Sequence, residues 1–331
     1  MKAVESMASR VRNSCGEQDH EQESRGFAAH RASKGLVGLW RLHVRDSGLR
    51  NVTPWQHLEP QPASPDAGFE FESLTIPCAT AKELSRAAHR VLLLDYDGTV
   101  APFTADRSRA VPYAPIPGLL ERIMGTCRTS VALISGRPAC EIPKLLGLDP
   151  HPEIWGSHGL ERLYPDGRYE IPEIDHAALE SLSSAAKSLE NLGLLQASEL
   201  KPGAVAVHWR WLPARKAEEV RAAAYRILSP LSCNGGLMIE SFDGGLELRV
   251  RNRNKGDVVR TILSEVSNDL PVAYLGDDVT DEEAFRALSG RGLSVLVRSH
   301  YHFSAAQIWL KPPDELVQFL KDWIRLCEGQ V

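Results

Sequence analysis

The sequence lacks both closely spaced cysteines and a long apolar run. Its six cysteines are scattered over 331 residues without a C-x-x-C pair, which excludes the commonest zinc-binding pattern and predicts reduced thiols rather than a disulfide framework. No apolar run approaches the roughly 18 residues that a membrane-spanning helix needs, and the first residues lack the apolar region of a signal peptide. We therefore expect a cytoplasmic protein with no membrane partner.

An excess of basic residues is missing as well. The chain carries 38 Lys and Arg against 43 Asp and Glu, a net charge of -5, whereas a nucleic-acid-binding surface normally shows a strongly basic balance. This charge argues against a nucleic-acid partner. What the chain does have is 43% hydrophobic residues, a content typical of a globular protein, and a length sufficient for two domains and an extension.

The first 80 residues show no clear hydrophobic periodicity. A short apolar piece lies at Gly35–Val44, and the proline-rich stretch that follows it is typical of a linker. We expect residues 1–80 to form an N-terminal extension that is poorly ordered or loosely docked. The regular patterns that follow predict a core made of residues 81–160 and 251–331, interrupted by a cap domain over residues 161–250.

Strands and helices alternate in the predicted core. Apolar strands at Arg90–Asp95 and Ser130–Ile134 are separated by a helix that starts near Pro117, and a helix at about Lys255–Val266 precedes an apolar strand that starts at Pro271. Such alternation predicts a parallel sheet with right-handed crossovers. We therefore expect an α/β fold with a doubly wound parallel sheet, and a small inserted α+β cap built from two helices and several strands.

Polar side chains follow three of the predicted core strands. Asp95 and Asp97 end the first strand, Ser135 follows the second, and Asp277 and Asp278 prolong a later one. Because ligands bind at the carboxyl ends of the strands in open α/β sheets, we expect these side chains to lie together at one edge. Carboxylates at buried strand ends are costly unless a metal or another cation compensates them.

Lys255 opens a helix, where the helix dipole disfavours a cation, so we expect its ammonium group to bind something anionic. These residue types together suit phosphoryl transfer. Aspartates fit Mg²⁺, which binds few carboxylates together with water and phosphate oxygens, and an Asp carboxylate can attack phosphorus to form an aspartyl-phosphate. A hydroxyl and an ammonium group can hold the phosphoryl oxygens as charge develops on them.

Several short motifs carry a family resemblance. Four of them resemble the motifs of the haloacid dehalogenase superfamily of phosphohydrolases: D-Y-D-G-T from Asp95, S-G-R from Ser135, N-K-G from Asn254 and G-D-D-V-T-D-E-E-A-F from Gly276. Three further motifs narrow the resemblance to the trehalose-6-phosphate phosphatases: G-S-H-G from Gly156, H-W-R from His208 and E-L-R from Glu247. The resemblance covers about Leu84–Leu326. The chain departs from the family pattern at Trp209, where tyrosine is usual, and at Val250, where proline is usual.

The resemblance implies a haloacid dehalogenase-like core and a Mg²⁺-dependent phosphatase that hydrolyses trehalose 6-phosphate through an aspartyl-phosphate. In that mechanism Asp95 would be the nucleophile and Asp97 the general acid and base. Ser135 and Lys255 would bind the phosphoryl group. The sugar phosphate would be the small-molecule partner, and an association with the enzyme that makes it is the protein partner that we expect.

The resemblance also implies the ligands of the cofactor and of the substrate. Asp95, Asp97 through its backbone carbonyl, and Asp277 would hold Mg²⁺, with Asp278 and Asp281 beside them in supporting roles. The residues implied for the substrate are Arg137, Ser157, His158 and Gly159 of the core, and Lys201, His208, Arg210, Glu247 and Arg249 of the cap.

Two alternatives stay open at this point. The same chemistry can act on another sugar phosphate, such as sucrose phosphate or a mannosyl phosphate, because the cap residues decide the substrate. A catalytically silent regulatory domain is the alternative from a different class, although all four motifs are intact. A phosphoacceptor receiver domain also clusters aspartates with a lysine, but it has no inserted cap and does not need the paired acids Asp95 and Asp97.

Overall fold

The architecture was determined from a computed structural model. The part of the chain that the structure describes is residues 75–104, 106–233, 236–242, 244–251 and 253–329. The predictions made for Gly35–Val44 and for the rest of residues 1–74 therefore lie outside the described residues.

Strands and helices alternate along the described chain. In chain order the strands are β1 (Arg90–Leu94), β2 (Thr129–Ile134), β3 (Glu153–Gly156), β4 (Glu161–Leu163), β5 (Tyr169–Glu170), β6 (Ser198–Lys201), β7 (Ala204–His208), β8 (Leu237–Phe242), β9 (Gly245–Val250), β10 (Val272–Gly276), β11 (Leu293–Val297) and β12 (Ile308–Leu310). The helices are α1 (Cys78–Arg86), α2 (Ile116–Gly125), α3 (Ile142–Leu146), α4 (His176–Asn191), α5 (Ala214–Leu228), α6 (Lys255–Glu265), α7 (Glu282–Leu288) and α8 (Asp314–Glu328).

The core unit is built on an eight-stranded sheet. Its strand order is β12-β11-β10-β1-β2-β3-β4-β5, and the strands run parallel from β12 to β3. Helices cover both faces. On one face Leu92 of β1 packs in a cluster with Trp323 of α8, and on the other Leu93 packs in a cluster with Ile262 of α6. This confirms the predicted doubly wound α/β fold, in which central strands are apolar throughout because both faces are covered.

The core begins before residue 81, where the sequence placed the end of the extension. Ile76 is only 1% exposed and belongs to the core cluster. The backbone N–H and the hydroxyl of Thr75 both donate to Oδ2 of Asp322 in α8, each at 3.0 Å. Residues 75–80 are therefore part of the core, and the predicted boundary is corrected at this end. A single apolar residue such as Ile76 gives no periodic signal in the sequence.

The hairpin of β4 and β5 belongs to the core sheet and not to the cap. Gly167, at φ +80°, closes its turn by donating an N–H to the carbonyl of Tyr164 at 2.9 Å. β4 pairs antiparallel with β3, and the second unit starts only at Ile174 and ends at Val250. The predicted cap boundary at residue 161 is corrected accordingly. In the sequence, the alternation of strands and helices that predicts parallel strands ends near residue 161. The sheet nevertheless continues beyond it, through an antiparallel hairpin.

Arg162 of this hairpin fixes the last residue of α6. Its two terminal nitrogens donate to the carboxylate of Glu265 at 2.8 and 2.7 Å, and its Nε donates to Glu153 at 2.9 Å. The guanidinium also lies over the rings of Trp155 and Tyr164, at 4.5 and 4.6 Å from their centroids. A bidentate, largely buried pair of this kind is the strong form of an Arg–carboxylate contact, so the end of α6 is tied to the sheet.

The second unit, residues 174–250, is a four-stranded antiparallel sheet with two helices. The strand order is β6-β7-β9-β8. Leu182 of α4 and Val220 of α5 pack with Val205 of β7 and Leu248 of β9 in one apolar cluster. Since side chains alternate along a strand, the residues between these apolar positions lie on the opposite face of the sheet. The two helices predicted for the cap and the strands that follow them lie in this unit, whereas the hairpin of β4 and β5 does not.

Two predictions from the sequence concern membrane-spanning helices and cysteines. No helix among the described residues is long and apolar enough to span a membrane. Cys78, Cys127 and Cys327 are free thiols, but Cys140 is disulfide-bonded, so the prediction of reduced thiols is wrong at that position. The C-x-x-C criterion does not detect a bond between cysteines that are distant in the sequence.

Candidate active site

The end of β1 places Asp95 against the end of β10. The N–H of Asp95 continues the strand pairing by donating to the carbonyl of Leu275 at 2.8 Å, and the residue is 3% exposed. Gly98 turns the chain with φ +89°, and a Cβ there would lie 2.2 Å from Oδ2 of Asp277. Glycine is needed at this position for the backbone conformation and for the space. The turn thus brings the two predicted acidic strand ends together.

Lys255, the first residue of α6, is buried beside Asp95. Its Nζ donates to Oδ1 of Asp95 at 2.6 Å and to Oδ1 of Asp281 at 2.7 Å. Asn254 caps the helix and forms a capping box with Asp257, which holds the first turn in place. Burial alone would lower the pKa of Lys255, but the carboxylates of Asp281 and Asp95 outweigh it and raise the pKa. The ammonium group therefore stays charged.

Asp281 is the anchor of the loop that follows β10. It is fully buried, and its carboxylate accepts hydrogen bonds from Lys255, from the hydroxyl of Tyr274, and from the backbone N–H groups of Asp277 and Asp278, the last two at 3.0 Å. Asp278 in turn caps the following turn, because its side chain accepts from the N–H of Val279 at 2.7 Å. Both predicted supporting residues thus shape the loop.

Asp277 carries the carboxylate with the least compensation. It is 3% exposed, and no described residue donates a hydrogen bond to its side-chain oxygens. Burial, with the charges of Asp95 and Asp281 beside it, raises the pKa of Asp277 well above its ordinary value. Burial also raises the pKa of Asp95 to about 7, against the opposite effect of Lys255. The three carboxylates of the cluster therefore exceed the single positive charge of Lys255, which favours the binding of a further cation.

These acids suit a hard divalent cation. Oxygens of Asp95, Asp277 and Asp281 all lie within 4.8 Å of one another, and Lys255 is the ammonium group that balances them. Carboxylate oxygens are the ligands that Mg²⁺ prefers. Because the oxygens of Asp281 already accept four hydrogen bonds, Asp95 and Asp277 are the better ligands. The side chain of Asp97, which was predicted to contribute only its carbonyl, is outside this cluster and contacts Arg137.

Arg137 lies against Asp97 and not in an open position. Its Nε and Nη2 donate to the two carboxylate oxygens of Asp97 at 2.6 and 2.7 Å, and its Nη1 donates to the carbonyl of Arg107 at 2.9 Å. The side chain is 2% exposed. The sequence predicted that Arg137 binds the substrate. In the structure its guanidinium donates instead to Asp97 and to the carbonyl of Arg107.

Ser135 and the G-S-H-G segment meet beside these loops. The N–H of Ser135 donates to the carbonyl of Trp155 at 2.8 Å, and the N–H of His158 donates to the carbonyl of Ser135 at 2.9 Å. Ser157, His158 and Gly159 follow one another with φ values of +46°, +57° and +96°. Left-handed backbone at consecutive non-glycine residues is strained and clusters at functional sites. The structure therefore brings these predicted residues together with Ser135.

Four of the five predicted cap residues share one face of the cap sheet. The strand register places Lys201, His208, Glu247 and Arg249 on the face opposite to the apolar cluster. Arg210 lies beyond the end of β7, where its N–H donates to the carbonyl of Gly244 at 3.1 Å. The structure thus groups the predicted residues but leaves Arg210 apart from the strands.

The sequence missed three residues that the structure connects to these sites. Glu199 and Glu240 lie on the same face of the cap sheet: Glu199 accepts from His208 at 3.1 Å and Glu240 from Arg249 at 2.6 Å. Two-residue alternation in β6 and β8 could have identified both. Tyr274 is the third, and its signal was a hydroxyl in an otherwise apolar strand, because a buried tyrosine hydroxyl needs a partner.

The fold is similar to that of solved phosphatases, one of which is described as a member of the haloacid dehalogenase-type superfamily. The C-terminal domain of trehalose-6-phosphate phosphatase from C. albicans superposes with a TM-score of 0.62 at 20% identity, covering 76% of this chain and 96% of that one. A family model described as trehalose-phosphatase matches residues 93–308. The chain belongs to the trehalose-phosphatase family, and it is a phosphatase enzyme.

Two relatives described as trehalose-phosphate phosphatases match a larger part of this chain than the family model does. The trehalose-phosphate phosphatase of Mycobacterium marinum is 29% identical over 303 residues, which cover 88% of this chain and 71% of that protein. The trehalose-phosphate phosphatase of Mycobacterium avium is 33% identical over 260 residues, covering 73% of this chain and 64% of that protein. The recognition made from the motifs is confirmed.

Proposed function

We propose that this phosphatase hydrolyses trehalose 6-phosphate to trehalose and inorganic phosphate through an aspartyl-phosphate on Asp95. The observation that carries the chemistry is the buried contact between Asp95 and Lys255, at 2.6 Å, beside the buried carboxylate of Asp277, which accepts no hydrogen bond from the described residues. The substrate is supported by the names of the curated relatives and by the polar face of the cap sheet.

In the first step Asp95 attacks phosphorus. Lys255, which also donates to Asp281, holds the carboxylate of Asp95 in one orientation, and a preorganised contact of this kind lowers the barrier because no reorganisation is needed at the moment of reaction. Asp97 donates a proton to the departing sugar oxygen. Ser135 and Lys255 bind the phosphoryl oxygens, where charge develops during the transfer.

In the second step water cleaves the aspartyl-phosphate. Asp97, which has lost its proton, accepts one from the attacking water, so one residue serves as acid and then as base. Asp97 is suited to this exchange, since its side chain is 26% exposed and sits two residues after the nucleophile. Inorganic phosphate then leaves and Asp95 is regenerated.

Mg²⁺ is the proposed cofactor. Asp95 and Asp277 would hold it with their carboxylates, together with the backbone carbonyl of Asp97. When bound, the ion supplies charge neutralisation for the phosphoryl group and for the acids around it. The predicted cytoplasmic location and the predicted association with the enzyme that makes the sugar phosphate stay predictions.

The cap sheet is proposed to bind the sugar. The cap sheet presents a row of hydrogen-bond donors and acceptors that suits the hydroxyl groups of a disaccharide: Lys201, His208, Glu247 and Arg249, with Glu199 and Glu240 beside them. The core residues Ser157, His158 and Gly159 are proposed to bind substrate beside Ser135. Arg137 is no longer proposed to do so.

A panel of sugar phosphates tests the proposal. Released phosphate is measured for trehalose 6-phosphate beside sucrose phosphate, a mannosyl phosphate and glucose 6-phosphate, with Mg²⁺ and with the metal chelated. We expect the highest kcat/KM for trehalose 6-phosphate and loss of turnover after chelation. A higher kcat/KM for another sugar phosphate would move the substrate assignment to that sugar, and full activity without a divalent cation would exclude the metal.

A further inference from the structure

The ion pair of Asp97 and Arg137 joins the loops that follow β1 and β2. Both carboxylate oxygens of Asp97 accept hydrogen bonds from one guanidinium, at 2.6 and 2.7 Å, which is the bidentate geometry of the stronger Arg–carboxylate pairs. The guanidinium side is 2% exposed and the carboxylate side 26%. A buried cation thus holds a carboxylate that itself reaches solvent.

Arg137 is held in place by contacts other than Asp97. Its Nη1 donates to the carbonyl of Arg107 at 2.9 Å and lies 3.5 Å from Oε2 of Glu141. Its guanidinium carbon lies 5.7 Å from the centroid of the Tyr96 ring, and its backbone N–H donates to Oγ of Ser135 at 3.1 Å. Since these contacts come from several segments, the guanidinium keeps its position when Asp97 moves.

We propose that Arg137 is a positioning residue for Asp97, an inference that rests on the proposed function. An acid that protonates the leaving group needs one carboxylate oxygen turned to the substrate, whereas both oxygens of Asp97 contact Arg137 in this structure. Asp97 therefore exchanges between the position bound to Arg137 and a position that faces the departing oxygen. Arg137 limits the carboxylate of Asp97 to a few orientations. From these orientations a short rotation of the side chain turns one oxygen to the departing oxygen.

The proposal follows the protons through both steps. In the first, the bond between Asp95 and phosphorus forms, the bond between phosphorus and the sugar oxygen breaks, and the proton of Asp97 passes to that oxygen. In the second, the oxygen of water bonds to phosphorus, its proton passes to Asp97, and the bond between Asp95 and phosphorus breaks. Arg137 exchanges no proton, so its loss affects each step only as far as the step depends on Asp97.

The leaving group provides the readout. A sugar alcohol is a poor leaving group and needs a proton from Asp97, whereas 4-nitrophenolate departs without one. We compare Arg137→Gln and Arg137→Lys with the unchanged protein on trehalose 6-phosphate and on 4-nitrophenyl phosphate, using kcat/KM, which reports the first step. For Arg137→Gln we expect a loss of about 10- to 100-fold on the sugar phosphate and less than about threefold on the aryl phosphate, with a smaller loss for Arg137→Lys.

The controls separate positioning from folding and from the proposed function. Arg122→Gln removes another bidentate pair, with Glu328 at 2.8 and 2.6 Å, and should leave both substrates unaffected. In an Asp97→Asn background, Arg137→Lys should cause no further loss. Equal losses on both substrates in folded Arg137→Lys protein, or additive losses with Asp97→Asn, would overturn the inference. Turnover by Asp95→Asn would instead overturn the proposed mechanism, which separates the two failures.

Discussion

The hydroxyl of Tyr274 donates a hydrogen bond to Oδ1 of Asp281, the same oxygen that accepts from Nζ of Lys255. A residue of β10 is thereby connected through one carboxylate to the first residue of α6. The ring of Tyr274 packs edge-on against Phe285 of α7, with centroids 5.7 Å apart. The orientation of Lys255 at the nucleophile thus depends on a tyrosine within the sheet.

Replacing Tyr274 with phenylalanine should loosen this connection without emptying the core. The ring remains, but a buried carboxylate loses one of its donors, so we expect a loss of about 1–3 kcal/mol in the free energy of unfolding. The measurement is denaturant unfolding, with Tyr301→Phe as the control because Tyr301 is 59% exposed. Equal stability of Tyr274→Phe and the unchanged protein would show that the hydrogen bond contributes nothing net.

The buried acids predict how stability depends on pH when the metal is chelated. The pKa of Asp95 is raised to about 7 and the pKa of Asp277 is raised as well, so the folded protein binds more protons than the unfolded chain between about pH 4 and pH 7. The contribution of these two acids to stability should therefore fall as pH rises through this range. Lys255 stays charged throughout, whereas His89, whose pKa burial lowers to about 4, contributes the opposite sign below about pH 6.5.

Thermal unfolding in a chelator at pH 5 and at pH 8 measures this effect. We expect Asp277→Asn to raise the Tm more at pH 8 than at pH 5, and Mg²⁺ to raise the Tm of the unchanged protein at pH 8. An equal effect of Asp277→Asn at the two pH values would contradict the pKa direction of Asp277, and a Tm that Mg²⁺ does not raise would contradict the metal site.

Gly98 should tolerate no side chain. Gly98→Ala places a Cβ 2.2 Å from Oδ2 of Asp277 and adds backbone strain at φ +89°. Gly167→Ala is a matched control, because Gly167 has φ +80° and open space around its Cβ position. We expect Gly167→Ala to cost about 1 kcal/mol from strain alone, and Gly98→Ala to cost more and to abolish turnover. Equal costs and retained activity in both variants would show that Asp277 moves aside freely.

Glu247 should affect sugar recognition and not phosphoryl transfer. It is buried and lies 2.6 Å from Nζ of Lys201, so Glu247→Gln removes a charged acceptor from the cap face. We expect kcat/KM for trehalose 6-phosphate to fall by about 10- to 100-fold, as for loss of a hydrogen bond to a charged group, while 4-nitrophenyl phosphate is turned over as before. Glu180→Gln, at an exposed position of α4, is the control. An equal loss on both substrates would assign Glu247 to the stability of the cap.

The sequence predicted the parts of the structure that depend on local patterns. Asp95 and Lys255 were identifiable because a polar residue at the end of an apolar strand, or a cation at a helix start, conflicts with local preference. The antiparallel hairpin at β4 and β5 was assigned to the wrong unit, because sheet membership depends on pairing across the chain. The contact of Arg137 with Asp97 was missed for a similar reason, because the residues lie 40 positions apart. The motifs assigned Arg137 to the substrate and Asp97 to catalysis and the metal, and did not indicate that the two side chains bind each other.

Helix α6 is secured at both of its ends, by Lys255 within the acidic cluster and by Glu265 on Arg162. Each residue added to or removed from an α-helix rotates one end relative to the other by about 100° and shifts it by about 1.5 Å. A single insertion or deletion inside α6 therefore forces a choice between the ammonium group at the nucleophile and the anchor on the hairpin. The number of residues in this helix is thus constrained more tightly than their identity on its exposed side, so its length should be inherited unchanged while its surface drifts.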